Sequence, residues 1–250
     1  NATGIKMVFV LFQDTPSGHA AMRYAADIGQ RLSAELHIRY LAPRHGTDSV
    51  EDKRVRARVV ELLGERPRTV SYAYEDDPHG GMPTAALVVD AKLARRRVDA
   101  WVVAPAGESG VCARGNGPVC IPLGDGESGS YANLVGIPIA RALGLPVFFY
   151  HTTWRNPAAA SDDPRAHMSP DAQLVIATAQ QRAVAARVSY QTVIEMADGV
   201  AEGIVRAALR EGCSCILTAR GCGTGRGSYV DQLLDESPIP VWSAPRKEAA

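Results

Sequence analysis

Strand-like and helix-like stretches alternate along this chain, and midway the alternation stops and begins again. That doubled pattern restricts the fold more than any other feature. A strand, a helix and another strand in succession demand parallel pairing with right-handed crossovers, which puts helices on the faces of a sheet. Two rounds of it make an internal repeat of about 120 residues. Met7 to Phe12 is an apolar run rich in β-formers, as in a strand buried on both faces. Gln13-Asp14-Thr15-Pro16-Ser17 is a turn ending in Ser17, a candidate helix N-cap. Ala21, Met22, Ala25, Ile28 and Leu32 then recur at helical spacing. Residues 35–41 and 69–74 read as strands and 50–63 as a charged helix with Val55, Val59, Leu62 and Leu63 on one side. The pattern predicts a helix over 84–96 and a fourth strand over 100–104.

The small-residue stretch 105–118 is the natural boundary, and the pattern restarts beyond it. Strands are predicted over 119–123, 146–152, 188–196, 213–218 and 239–243, and helices over 129–143, 170–187, 200–210 and 229–236. In the helix over 170–187 the stripe is Leu174, Ala177, Gln181 and Val184. Asp198-Gly199 opens the next helix, with Asp198 as its expected cap. Residues 105–117 are too few to hold a further loop, helix and strand, so the first repeat is read as shortened. The fold class is therefore α/β, two tandem doubly wound parallel-sheet repeats, over 5–117 and 118–245.

Sheets of this kind hold ligands outside the carboxyl ends of their strands, where the strand order reverses. Two stretches of the second repeat share that edge. One is Gly124-Asp125-Gly126, after its first strand; the other runs from Gly221 to Ser228, after its fourth. The second stretch carries Gly221, Gly223, Gly225 and Gly227 ahead of a helix start. Glycine lets backbone N–H groups turn inward, and a helix N-terminus adds unpaired N–H groups and partial positive charge, a recipe for holding an anion. An Asp-Gly pair is also a plain turn former, and a glycine-rich loop is also a plain surface loop. His151 ends a strand on the same edge, either as a pocket residue or as a buried structural histidine.

Several function classes are excluded. With 27 basic and 27 acidic residues the formal net charge is zero, which argues against a nucleic-acid binder. No apolar run approaches the roughly 18 residues that span a bilayer. Among the five cysteines, Cys213 and Cys215 share one strand face as small buried side chains, and Cys112, Cys120 and Cys222 show no paired ligand spacing. No metal site is expected, and a reducing, cytoplasmic setting fits. Gly-x-Ser-x-Gly is absent and no lysine lies in the glycine loop, so neither acyl nor phosphoryl transfer has its usual machinery. No enzyme and no catalytic residue is expected, with slow nucleotide hydrolysis left open. Asn1-Ala2-Thr3 includes no initiating Met and reads as the start of a fragment of a longer protein.

The order of these motifs resembles the universal stress protein family in tandem form. Ile121-Pro122-Leu123-Gly124-Asp125-Gly126-Glu127-Ser128 is similar to its first strand and Asp-Gly-Ser turn. Ile139-Ala140-Arg141-Ala142-Leu143-Gly144-Leu145-Pro146-Val147 is similar to its first helix and second strand, and Gly227-Ser228 with Pro238-Ile239-Pro240-Val241 to its ending. Tyr24-Ala25-Ala26-Asp27 and Leu32-Ser33-Ala34-Glu35-Leu36-His37 repeat the helix and strand in the first half. The resemblance implies an adenine nucleotide, ATP or AMP, and leaves Mg2+ open as the companion of ATP. It places Asp125 and Gly126 at the adenine and ribose, Val147 beside them, and Gly223, Gly225, Gly227 and Ser228 at the phosphates. Gln13 stands where the first repeat would need its aspartate, and the loop of the second repeat is shorter than the family spacing. The resemblance thus implies a stress-response or regulatory protein whose repeats pair as a pseudo-dimer, a homodimer being left open. The alternative is a nucleotide-free regulatory or dimerisation domain of a membrane transporter such as a cation/proton antiporter.

Overall fold

The structure, a computed structural model, describes residues 3–42, 49–64, 69–74, 86–89, 101–104, 116–124, 127–155, 161–219 and 229–244. The chain divides into two compact units, Thr3–Cys112 and Ala113–Ala250. Their strand orders match.

The first unit contains β1 (Met7–Phe12), α1 (Pro16–Leu32), β2 (Glu35–Ala42), α2 (Ser49–Leu63), β3 (Thr69–Tyr74), β4 (Ala86–Val89) and β5 (Trp101–Ala104). Its strand order is β3-β2-β1-β4-β5, and the pairs formed along it are parallel. Val8, Val10 and Phe12 turn one way along β1, are almost wholly buried, and face α1; Phe12 stacks on His19 of that helix at 6.0 Å. The opposite face differs in character. There Phe9 stacks on His37 at 4.9 Å, and the Arg39 guanidinium sits 5.8 Å over the Phe9 ring. The cap of α1 is Thr15, not Ser17: Pro16 occupies the first helical position, where its missing N–H costs nothing, and Thr15 Oγ1 accepts from Gly18 N–H at 3.1 Å.

The helix predicted over 84–96 is overturned at its start. Residues 86–89 are a strand, β4, between β1 and β5, with Leu87, Val88 and Val89 fully buried. A four-residue apolar run cannot show its period, and burial on both faces favours the extended form. Trp101–Ala104 is therefore the fifth strand, and the final strand thought missing is present. The shortening falls elsewhere. Residues 75–85, eleven in number, join β3 to β4, and the corresponding link of the second unit, 197–214, numbers eighteen and includes an 11-residue helix.

The second unit contains β6 (Val119–Pro122), α3 (Glu127–Leu143), β7 (Val147–Thr153), α4 (Pro170–Ala185), β8 (Tyr190–Met196), α5 (Val200–Arg210), β9 (Cys215–Ala219), α6 (Tyr229–Glu236) and β10 (Val241–Ala244). Its order, β8-β7-β6-β9-β10, repeats that of the first unit, again with parallel pairing. Ile121 and Leu217 project towards α3, where a Cβ on Gly136 would come within 2.8 and 2.9 Å of their tips. Ser169 caps α4 by accepting from Ala172 N–H at 3.0 Å. The stripe predicted for α4 is the wrong one. Leu174 and Val184 are 68% and 64% exposed, and the buried side is Ala172, Val175, Ile176, Ala179 and Ala183. Small and β-branched residues let this helix lie close to its neighbours, so bulk does not mark its inner face. Cys213 and Cys215 are buried thiols, as expected, and so is Cys120. Among the described residues no helix is long and apolar enough to cross a membrane, and no cluster of potential metal ligands occurs.

Candidate functional site

The parallel strands of the second unit end together at one edge, where the order reverses between β6 and β9. A cavity of about 250 Å³ opens there. Pro122, Leu123 and Gly124 reach it from the end of β6, and Tyr150, His151, Thr152 and Trp154 from the end of β7. Val200 and Ile204 of α5 close one side, and Tyr229, the first residue of α6, another.

Backbone and side-chain bonds fix the floor. Leu123 N–H donates to the Tyr150 carbonyl at 2.8 Å, and the His151 ring donates through Nδ1 to the Leu123 carbonyl at 2.6 Å. His151, 5% exposed, thus clamps the ends of β6 and β7 while lining the cavity, so both roles left open for it hold. The Tyr150 hydroxyl donates to Glu195 Oε2 at 3.4 Å, and Arg210 grips the other oxygen of that carboxylate at 2.7 Å. Tyr229 and Thr218 share a hydroxyl contact of 3.3 Å. Burial pushes both phenols, Tyr150 and Tyr229, above the usual tyrosine range, so they stay protonated.

A close approach keeps α5 against this wall. A Cβ on Gly203 would stand 2.8 Å from Tyr150 Oη and 3.2 Å from Ala197 Cβ. The N-cap of α5 is Gly199 rather than Asp198, and no side chain caps it; Asp198 points to solvent. Its first-turn N–H groups are left to solvent or ligand beside Val200. The described lining is apolar with a few hydroxyls and one imidazole, and includes no carboxylate, lysine or arginine. Such a wall offers a ligand apolar contact, with a few polar groups to orient it.

The residues singled out from sequence fall in three places. Asp125, Gly126, Gly223, Gly225, Gly227 and Ser228 lie outside the described residues. Their immediate neighbours do not: Gly124 precedes Asp125, Tyr229 follows Ser228, and both line the one cavity. Val147 is buried at the amino end of β7, paired with Val119 and Tyr190, and is not among the lining residues. On that strand the lining positions are 150–152. Sequence reasoning missed Tyr150, Thr152, Trp154, Val200 and Ile204; their signal was position alone, at the carboxyl end of a strand and the first turns of a helix.

The matching edge of the first unit is chemically different. Asp14 accepts from His19 Nε2 at 2.7 Å and from Arg58 Nε at 3.1 Å, and Arg58 also holds Glu61 at 2.6 Å. The His19 hydrogen bond, aided by Arg58, holds the Asp14 carboxyl below the usual aspartate range. The Gln13 carbonyl accepts from Thr15 N–H at 2.7 Å, closing the turn after β1.

No family model and no curated protein matches the sequence. Solved structures do. The chain is similar to a universal stress protein from Archaeoglobus fulgidus DSM 4304, with 11% identity, a TM-score of 0.67, and coverage of 96% of this chain and 98% of that one. It is also similar to a functionally unknown protein from Pseudomonas aeruginosa PAO1, with 16% identity, a TM-score of 0.57, and coverage of 97% and 93%. At such identities the likeness is one of fold, and it extends over nearly the whole chain.

Proposed function

From a universal stress protein fold of two tandem repeats, we propose that this chain is a stress-response or regulatory protein whose second unit binds an adenine nucleotide, ATP or AMP. One observation carries the reading: Gly124 and Tyr229, which flank the Asp125 turn and the Gly221–Ser228 loop, line the same apolar cavity. A cavity of about 250 Å³ is below the usual range for a whole ligand, roughly 300–1,000 Å³. It suits the ring end of a nucleotide whose phosphates lie outside. Asp125 and Gly126 would hold the adenosine part and Gly223, Gly225, Gly227 and Ser228 the phosphates, with Mg2+ accompanying ATP. Binding would shift populations of surface states and so alter what a partner meets. In this reading the protein is a binder in the cytoplasm, without turnover.

The first unit is the non-binding copy. Its Asp14 is already engaged by His19 and Arg58. The link from β4 to β5, residues 90–100, contains no glycine, whereas residues 220–228 contain four. Gly107-Glu108-Ser109-Gly110, which resembles a phosphate loop, follows the fifth strand and not the fourth.

Thermal denaturation with ATP and with AMP tests the proposal. A ligand at a hundred times its Kd adds about 2.7 kcal/mol to stability, which appears as a rise in Tm. Asp125→Ala should abolish that rise, and an unchanged rise would clear Asp125 of its role. No shift at millimolar nucleotide would end the nucleotide reading and leave the nucleotide-free regulatory domain in its place.

A further inference from the structure

β8 ends the strand order of the second unit and pairs, among the described residues, with β7 alone. Val147 N–H donates to the Ser189 carbonyl at 2.8 Å, and Ala197 N–H donates to the Thr153 carbonyl at 3.4 Å. A parallel ladder uses alternate residues, so Ser189, Gln191, Val193, Glu195 and Ala197 turn their backbone groups to β7. Tyr190, Thr192, Ile194 and Met196 turn theirs to the free edge. Natural sheets guard such edges with lysine, proline or a bulge. β8 has none of the three: it reads Tyr-Gln-Thr-Val-Ile-Glu-Met, and its register with β7 is unbroken. The neighbouring helix turns apolar side chains to the same side. Arg182 fixes one flank of α4, donating to the Ser130 carbonyl at 3.1 Å and to Asn133 Oδ1, both on α3. Gln180 fixes the other, donating to Thr192 Oγ1 of β8 at 3.1 Å. Val184 lies four residues after Gln180 and Ala177 three before it, hence on its side of the helix. Both are exposed, Val184 by 64%. Unpaired backbone and uncovered apolar side chains thus border one another.

We propose that this edge joins a second copy of the chain about a two-fold axis at Val193. Antiparallel pairing centred there sets Thr192 opposite Ile194 of the second copy, and Tyr190 opposite its Met196. Every edge-facing N–H and C=O of β8 is then paired, which no other register achieves. The pairs between them come closer: Val193 meets its own copy, and the Gln191 amide meets the Glu195 carboxylate. Sliding the centre to Glu195 would instead oppose two carboxylates. A crossover helix riding over β7 and β8 comes to rest two strand spacings from its mate, about 10 Å, where helices pack. Gln180 stands beside Thr192 and so near the axis, which brings Val184 of one α4 to Ala177 of the other, a larger residue against a small one. The same patch serves both copies, as a two-fold interface requires. With a formal net charge of zero, no long-range repulsion opposes the union. An extended peptide on this edge would leave Val184 and Ala177 uncovered.

Sedimentation velocity of the full chain at micromolar concentrations, without nucleotide, should show a monomer–dimer equilibrium. Gln191 is exposed, so its replacement leaves the fold of each copy intact. Gln191→Glu sets carboxylate against carboxylate on both sides of the axis and should weaken dimerisation by about tenfold, or about 1.4 kcal/mol. Gln191→Lys sets an ammonium against Glu195 and should keep the dimer or tighten it. Val193→Cys tests the register. Residues of a non-hydrogen-bonded antiparallel pair hold their Cα atoms about 4.5 Å apart, within disulfide reach, so diamide should link two such chains. Gln191→Cys, four residues out of register with its own copy, should stay unlinked. A chain that remains monomeric overturns the proposal. So does a dimer of equal affinity in Gln191→Glu and Gln191→Lys, or one that Val193→Cys fails to capture.

Discussion

Gly117→Ala probes how the second unit closes on itself. Gly117 precedes β6 and passes against the turn after α5. A Cβ built there would stand 1.9 Å from the carbonyl oxygen of Gly212 and 3.1 Å from its carbonyl carbon. Carbon–oxygen contacts settle at about 3.3 Å or more, so the backbones must part by about 1.4 Å. Neither is free to move. Gly212 adopts φ +63° and donates to Leu209, Cys213 N–H donates to Ala208 at 2.8 Å, and Ser214 N–H donates to Pro118 at 2.9 Å. The clash is with backbone, so no rotamer change relieves it. Overpacking of this kind costs up to about 3 kcal/mol, offset by about 0.4–1 kcal/mol from a less flexible unfolded chain. The net loss should be about 2 kcal/mol, which at a urea m-value of about 2 kcal/mol/M lowers the unfolding midpoint by about 1 M. Gly124→Ala is the companion measurement. Nothing lies within 4 Å of a Cβ there, and its midpoint should stay within about 0.25 M of wild type. An unchanged midpoint for Gly117→Ala would refute the close approach and the reasoning built on it.

Cys120, Cys213 and Cys215 should resist alkylation by N-ethylmaleimide at pH 8 in the folded chain and react in urea, as peptide mass spectrometry would show. They are at most 5% exposed, and burial pushes the Cys215 thiol up to about 12, which removes the reactive thiolate. Early labelling of Cys215 would contradict its placement. Asp14→Asn should destabilise the chain at neutral pH. The folded carboxyl titrates below the unfolded value of about 3.9, so its contribution is present above that pH and fades as pH falls through the folded pKa. Denaturation midpoints of wild type and variant should therefore draw together as pH falls below the unfolded value; a gap that stays constant as the medium is acidified would show that the charge is not involved.

The repeat, the parallel sheets and the edge that holds the cavity were legible in the sequence, because alternation and apolar runs report which segments are buried on which sides. Helix 229–236 was placed to the residue, since Val230, Leu233 and Leu234 keep a clear helical period. Failures came where that signal is short or quiet. Ala86–Val89 is four residues long and carries no period, so it was absorbed into a helix, and the count of strands in the first repeat slipped by one. In α4 three of the five buried positions are alanines, and the apolar Leu174 and Val184 on the outer side drew the reading outward. Of the site, His151 was readable from its place at a strand end. Thr152 was not, because it reaches the cavity through the end of β7 and the close pass of α5 at Gly203, neither of which leaves a pattern along the chain. Val147 came from the resemblance alone and stands at the far end of its strand from the cavity.

The second sheet face of the first unit limits what can be laid over it. On β6 and β7 that face carries Cys120, Phe148 and Tyr150, all buried. On β1 and β2 it carries Phe9 with His37 and Arg39. A guanidinium and an imidazole sealed beneath an apolar helix would lose hydration that the helix cannot replace. Residues 75–85 number eleven, as many as the helix α5 alone. The short link and the polar side chains bear on one another: a helix as long as α5 laid over this face would have to rest on a guanidinium and an imidazole. Grafting the 197–214 segment onto the first repeat would require those two positions to change with it.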